Sequence, residues 1–209
     1  MDYMQRHKRV RQLVKKVNQQ RKRQALKIDI LCNDFIGAQR NFIKNLDAIS
    51  FASLFYESLL GANDISTLLY TAGKLIKQKI PEINIAFLLR RTDNFDLHIL
   101  ENDEPITLDK QRLENCFTNE LVNDICQANK VCSLDDLFAM GMGGNPTWLN
   151  KISAVTIPIA RSGLSAGFIL LYRNSENKIT TAEVNNISAV TGGLYKAISS
   201  CQVPSQTSD

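Results

Sequence analysis

Apolar residues recur every seven positions along the first sixty residues. One set of seam positions is Val14, Arg21, Ile28, Phe35, Phe42, Ile49 and Tyr56, and the other is Val10, Val17, Gln24, Leu31, Ala38, Asn45, Ala52 and Leu59. All but Arg21, Gln24 and Asn45 are apolar. No proline interrupts residues 1–60, and Gly61-Ala-Asn-Asp64 offers a stop signal. The pattern predicts one long helix. At 1.5 Å per residue, about fifty residues span about 75 Å, more than a single small domain can bury. A parallel dimeric coiled coil is the natural solution, because a sustained apolar seam winds around its own copy. The polar seam residues would lower stability and fix register. The alternative is that Gly37 breaks the segment and its second half packs on the domain's own sheet.

Past Gly61 the period changes. Asn63 or Asp64 can cap a helix with Ile65, Leu68, Leu69, Ala72, Leu75 and Ile76 on one face, ended by Pro81. Strand-like runs at 83–90 and 95–101, joined by Arg91-Thr-Asp-Asn94, predict a hairpin. A helix is expected near 109–129, with Leu113, Phe117, Leu121 and Ile125 apolar, then a short strand at Val131-Cys132 and irregular chain to about Asn150. Strands follow at Ala154–Ile159 and Gly167–Tyr172. A last amphipathic helix starts at a capping box of Thr180 with Glu183, and carries Val184, Ile187, Leu194 and Ile198. Strands and helices do not alternate as a parallel sheet requires, so an α+β fold with an antiparallel sheet flanked by helices is expected.

The 209 residues suit one domain plus an appendage, and no apolar run is long enough to span a bilayer. The basic N-terminus lacks the apolar stretch of a secretory signal. Five cysteines, at 32, 116, 126, 132 and 201, are odd in number and form no C-x-x-C pair. They point to a reducing, cytoplasmic location without a disulfide framework or zinc site. The net charge of +4 conceals an uneven distribution: residues 1–27 hold ten Lys or Arg against the single acid Asp2, and the rest of the chain is acidic. That arm is a solvated face by default. Its cations can also neutralise nucleic-acid phosphates in a salt-sensitive way or dock on anionic lipid or an acidic partner. The Asn-x-x-Ala-x-x-(Cys/Ser)-Arg signature of basic-zipper helices is absent.

Little else points to chemistry. Asp135-Asp136 has no metal-ligand company and reads as a helix start or a solvated turn. Gly141-Met-Gly-Gly-Asn-Pro-Thr-Trp148 lacks the G-x-G-x-x-G spacing of a phosphate loop and reads as a flap. Cys116, Cys126 and Cys132 are either redox-sensing thiols or small buried apolar residues. No nucleophile has an identifiable base, so no enzymatic activity is expected.

The closing residues carry a family resemblance. Val155-Thr-Ile-Pro-Ile159, Gly167-Phe-Ile-Leu-Leu171 and Ile179-Thr-Thr-Ala-Glu183 are similar to the closing strands and helix start of GAF domains, and the resemblance extends from about Gly61 to Cys201. Ile179 stands where the family usually has Phe, and the glycine turn is short. The resemblance implies a central antiparallel sheet with the terminal helices on one face and a small-molecule pocket on the other, the Trp148 loop covering it. The ligand-binding residues expected on this reading are Phe87, Leu89, His98, Leu100, Trp148, Val155 and Ile157; the alternative for His98 is a solvent-facing or hydrogen-bonded strand residue, and for Trp148 an ordinary core or hinge aromatic. The Cys-His pair that attaches tetrapyrroles in related sensors does not occur. Asn177-Lys178 with Glu183 is only a fragment of a cyclic-nucleotide signature, so no cofactor is named. The expected organisation is a basic arm and coiled coil at 1–60, a GAF-like domain at 61–201 and a disordered tail at 202–209. The expected role is a homodimeric sensor of an unknown small molecule that signals to a separate effector protein, since no effector domain follows Cys201. The alternative is a ligand-free dimeric adaptor whose arm binds nucleic acid or an acidic partner.

Overall fold

A computed structural model describes residues 3–91, 94–100, 107–108, 111–144 and 146–202, which divide into two compact units, Met1–Ile49 and Ser50–Asp209. The described part of the first unit is helix alone. It belongs to α1 (Tyr3–Leu59), a 57-residue helix that Gly37 does not interrupt. Its seam residues Val10, Val14, Val17, Ile28, Leu31, Phe35, Phe42 and Ile49 are all exposed, Phe35 at 64% and Ile49 at 65%.

In the second unit, the last turns of α1 behave differently: Phe51, Phe55 and Leu59 are buried in a domain core. Helix α2 (Ile65–Lys79) starts where Asp64 Oδ1 accepts from the Thr67 N–H at 2.8 Å, and buries Leu68, Leu69, Ala72 and Ile76. Strands β1 (Asn84–Arg90) and β2 (Phe95–Leu100) form the expected hairpin, closed by a hydrogen bond from the Arg91 N–H to Asn94 O and an ion pair between Arg91 and Asp96. Two short strands, β3 (Thr107–Leu108) and β4 (Gln111–Arg112), pair with each other.

The helix expected at 109–129 is shorter than its periodicity implies. Residues 109 and 110 lie outside the described set, Gln111–Arg112 is strand and Leu113–Cys116 is a 3-10 turn. Helix α3 covers only Asn119–Ala128, because Thr118 is extended and its Oγ1 accepts the Leu121 N–H as an N-cap. Leu113 and Phe117 are nonetheless buried beside Leu121 and Ile125, so their spacing reflects a shared core and not a continuous helix. Strand β5 (Cys132–Ser133) leads into a stretch expected to be irregular that holds two short helices, α4 (Leu134–Ala139) and α5 (Pro146–Leu149). A reciprocal capping box of Ser133 and Asp136 starts α4, so the acidic pair is a helix start.

Strands β6 (Ile152–Arg161) and β7 (Leu164–Asn174) are the long centre of a five-stranded antiparallel sheet ordered β2-β1-β7-β6-β5. The register of β6 against β7 shifts between Ile159 and Ala160. Gly167 lets β1 approach there: its φ is +149, and a Cβ would fall 2.0 Å from Leu88 O. Helix α6 (Thr181–Gln202) closes the fold behind the expected Thr180 and Glu183 box. Gln202 is thus helical, whereas the expected tail residues 203–209 lie outside the described set. Among the described residues no helix is long and apolar enough to cross a membrane.

Both faces of the sheet are covered. Ile85, Phe87, Leu89, Ile157, Ile169 and Leu171 pack against α2, α6 and the end of α1. Ala86, Leu88, Ala154, Phe168, Leu170 and Tyr172 pack against α3, α4, α5 and the 3-10 turn. Each large side chain so buried contributes about 1.5–3 kcal/mol to folding.

Candidate functional site

The second of these faces is the better candidate for a site, since short elements roof it and its floor contains a polar group. Alternation along β6 puts Thr156 on the same side as Ala154, with Val155 and Ile157 on the other. Thr156 is fully buried, and its Oγ1 has no hydrogen-bond partner. Its cross-strand neighbour is Cys132, a weak partner whose thiol donates to Lys130 O at 3.5 Å. A buried hydroxyl with no partner costs about 1–3 kcal/mol, and the Cys132 thiol beside Thr156 offsets only part of that cost.

Over that floor, α3 contributes Leu121, Val122, Ile125 and Cys126, while Leu137 comes from α4 and Leu149 from α5. The chain between α4 and α5 contains Gly141 at φ +93 and Gly144 at φ +143, conformations that L side chains rarely adopt. Burial pushes the thiols of Cys126 and Cys132 up, outweighing contacts with Ser165 and Thr156 that act in the other direction. Both remain protonated at neutral pH, as inert as other small buried groups, which disfavours redox sensing at these two positions. Among the described residues no group of His, Cys, Asp and Glu could hold a metal ion.

A second polar cluster clasps β7 to α6. Arg173, only 5% exposed, donates through Nε to Asn177 O at 2.6 Å and through Nη2 to Lys178 O at 2.8 Å. The same Nη2 reaches Glu183 Oε2 at 2.8 Å. Burial opposes ionisation of Glu183, but hydrogen bonds from the Thr180 N–H and hydroxyl, together with the Arg173 guanidinium, hold its carboxyl below the usual range. The Asn177-Lys178 and Glu183 fragment is therefore structural, because its backbone carbonyls and carboxylate satisfy a buried arginine.

A five-stranded antiparallel sheet with the terminal helices packed on one face and short helices roofing the other recurs in solved structures with little sequence in common. This chain has the GAF fold. It is similar to the GAF domain of a phosphoenolpyruvate-protein phosphotransferase from Coxiella burnetii, with a TM-score of 0.54 at 10% identity over 74% of this chain and 94% of that one. A GAF domain/HD domain protein from Geobacter sulfurreducens is similar at a TM-score of 0.51 and 16% identity, over 70% and 99% of the two chains. A far-red absorbing dark state with bound biliverdin IXa is similar at a TM-score of 0.52 and 14% identity, over 73% and 99%. No sequence-family profile matches the chain, and no curated protein matches it. At such identities the likeness is one of fold.

Within the GAF sheet, the residues expected to bind ligand are brought together, but on the helix-covered face. Phe87, Leu89, Val155 and Ile157 belong to the core under α2 and α6. Pairing of His98 with Phe87 and of Leu100 with Ile85 places both β2 residues on that side, and Leu100 packs on Gly73 of α2. The hairpin itself is as expected, whereas the side on which these residues meet is opposite to the face that the resemblance reserves for a pocket. The reason lies in β1, where Ile85-Ala-Phe-Leu-Leu89 is apolar at every position, so a period of two cannot say which half faces which layer. The backbone of Trp148 lies in α5, and its side chain is outside the described set. Thr156 was not among the residues expected to face a ligand. The signal for it was present in Val155-Thr-Ile-Pro-Ile159, where a hydroxyl interrupts an otherwise apolar run.

Proposed function

We propose that this protein is a non-enzymatic, GAF-type sensor of a small molecule. It dimerises through its N-terminal helix and signals to a separate partner protein in a reducing, cytoplasmic setting. The observation that supports it most is the buried, unpartnered Thr156 hydroxyl on the sheet face opposite the terminal helices. A ligand entering beneath the roof of short helices would find an apolar floor with one group left to hydrogen-bond, the usual make-up of a small-molecule site. The regulatory context of the GAF neighbours fits this role. Dimerisation is favoured by the exposed seam. A helix whose Val17, Ile28, Leu31, Phe35, Phe42 and Ile49 all face water gains by winding about a second copy. Ligand occupancy would shift the roof, and the sheet and its helix layer would carry that bias to the dimer.

Native mass spectrometry of the purified full-length chain, followed by denaturation of the same sample, tests this. A dimer that releases a small molecule supports both parts of the reading. A dimer that stays empty with candidate metabolites added would remove the sensor and leave a dimeric adaptor. A monomer would remove the coiled coil.

The adaptor is favoured by one specific feature. The ten cations of residues 1–27 face a single acid, on a helix whose described side chains there are exposed. It predicts salt-sensitive binding to DNA or RNA that disappears when residues 1–27 are deleted.

A further inference from the structure

A separate cleft of about 590 Å³ lies on the helix side of the domain, between the last turns of α1 and α6. It shares no residue with the roofed face, and its volume is within the range of small-molecule sites. Tyr56 forms one wall. Its hydroxyl donates to Ala189 O at 3.0 Å, and its ring lies so close over Gly193 that a Cβ there would come within 2.0 Å. Leu59, Leu60 and Ala197 supply apolar surface, while Arg161 from the end of β6 and Lys196 from α6 reach the same cleft. Among the described residues, neither cation is paired with a carboxylate.

Gly192 narrows the choice of occupant. It sits inside α6, where alanine would favour the helix more, and a Cβ there would meet nothing within 4 Å. The domain's own packing gives no steric reason for glycine, whereas a molecule lying along α6 does. From Gly192 to Ser200 the helix offers a floor roughly 12 Å long at 1.5 Å per residue. An apolar floor, open length and two unpaired cations call for an extended apolar body with a negative end.

We propose that this cleft binds a free straight-chain carboxylate, its chain along Leu59, Leu60, Gly192 and Ala197 and its carboxylate on Arg161 and Lys196. The inference goes beyond the sensor reading: it assigns a second site of different chemistry on another part of the domain, and either can fail alone.

Calorimetric titration of the full-length protein with decanoate, decanol and decyltrimethylammonium, all below their aggregation range, tests the proposal. Decanoate is expected to bind saturably at one per chain, with decanol weaker and the cationic analogue silent. The double variant R161A/K196A should weaken decanoate binding by about tenfold or more, from the loss of charge-assisted contacts. G192L should abolish binding without lowering the melting temperature, since its side chain projects into the cleft from a better helix former. Absence of saturable binding overturns the proposal, as does equal affinity for decanol, or binding of decanoate to G192L at the wild-type level. If decanoate does not bind and G192L instead changes the monomer–dimer equilibrium in sedimentation, the occupant is a second copy of the chain and the proposal falls.

Discussion

Between α2, α6 and the sheet, the core is made of large aliphatic and aromatic side chains, with Phe55, Phe87, Ile157, Ile169 and Leu194 fully buried. The sheet's other face is also apolar, but its layer holds the Thr156 hydroxyl and two buried thiols, and its cover is three short helices, the last two linked through the positive-φ glycines Gly141 and Gly144. Long helices are held by many side chains at once, and opening one would expose a large apolar area together. Short helices contribute less each and can be displaced singly, which is the property a ligand-gated cover needs. Two layers of similar hydrophobicity thus differ in the size of the pieces that close them.

The largest test of that contrast is Phe87→Ala. Removing a fully buried ring from the helix-covered face should destabilise the domain by about 3–5 kcal/mol in denaturant titration. A loss below about 1 kcal/mol would mean that this layer is as adaptable as the roof.

Next comes the clasp that fastens α6 to β7. Glu183→Gln removes the carboxylate from the buried Arg173 guanidinium, leaving it only the Asn177 and Lys178 carbonyls, and should cost about 1–2 kcal/mol at neutral pH, since Glu183 itself is partly exposed and screened. The Glu183 carboxyl lies below its ordinary value of 4.5 in the folded state. Its contribution is therefore fully present above the unfolded-state pKa and disappears as pH falls through the lower folded value. Wild type and variant are expected to converge in acid. A stability difference that persists unchanged there would show that packing, and not charge, holds the clasp.

The smallest effect is expected on the roofed face, and with the opposite sign. Thr156→Val removes a buried hydroxyl with at most a weak thiol partner and should leave stability unchanged or raise it by about 1 kcal/mol in thermal unfolding, while on the proposed sensor reading it should weaken ligand binding. A substantial loss of stability would show that the hydroxyl is satisfied in solution, and the case for a site around it would weaken.

How much of this was legible beforehand depended on whether neighbours in sequence or neighbours in space set the outcome. The long helix, the Asp64 cap, the β1–β2 hairpin and the Thr180 and Glu183 box are decided by residues within a few positions of one another. Periodicity and capping chemistry announce such features directly. The capping box at Ser133 and Asp136 is equally local, and of the two readings of Asp135-Asp136 it selects the helix start, in a stretch otherwise expected to be irregular. Leu113, Phe117, Leu121 and Ile125 misled for the opposite reason, since a helix and a 3-10 turn that share one core keep their apolar spacing in phase across an interruption.

Residue order alone sufficed for most of the longer elements, their succession along the chain and the antiparallel hairpin, because local hydrogen bonding and the alternation of side chains need no distant partner. Which half of each doubly apolar strand lies under α2 and α6 was settled only when the layers packed. So were the isolation of the Thr156 hydroxyl and the meeting of Arg161 and Lys196 at one cleft beside Gly192. Those facts arise where strands and helices far apart in the chain come together, and a strand that is apolar on both sides gives no local sign of which layer will cover it.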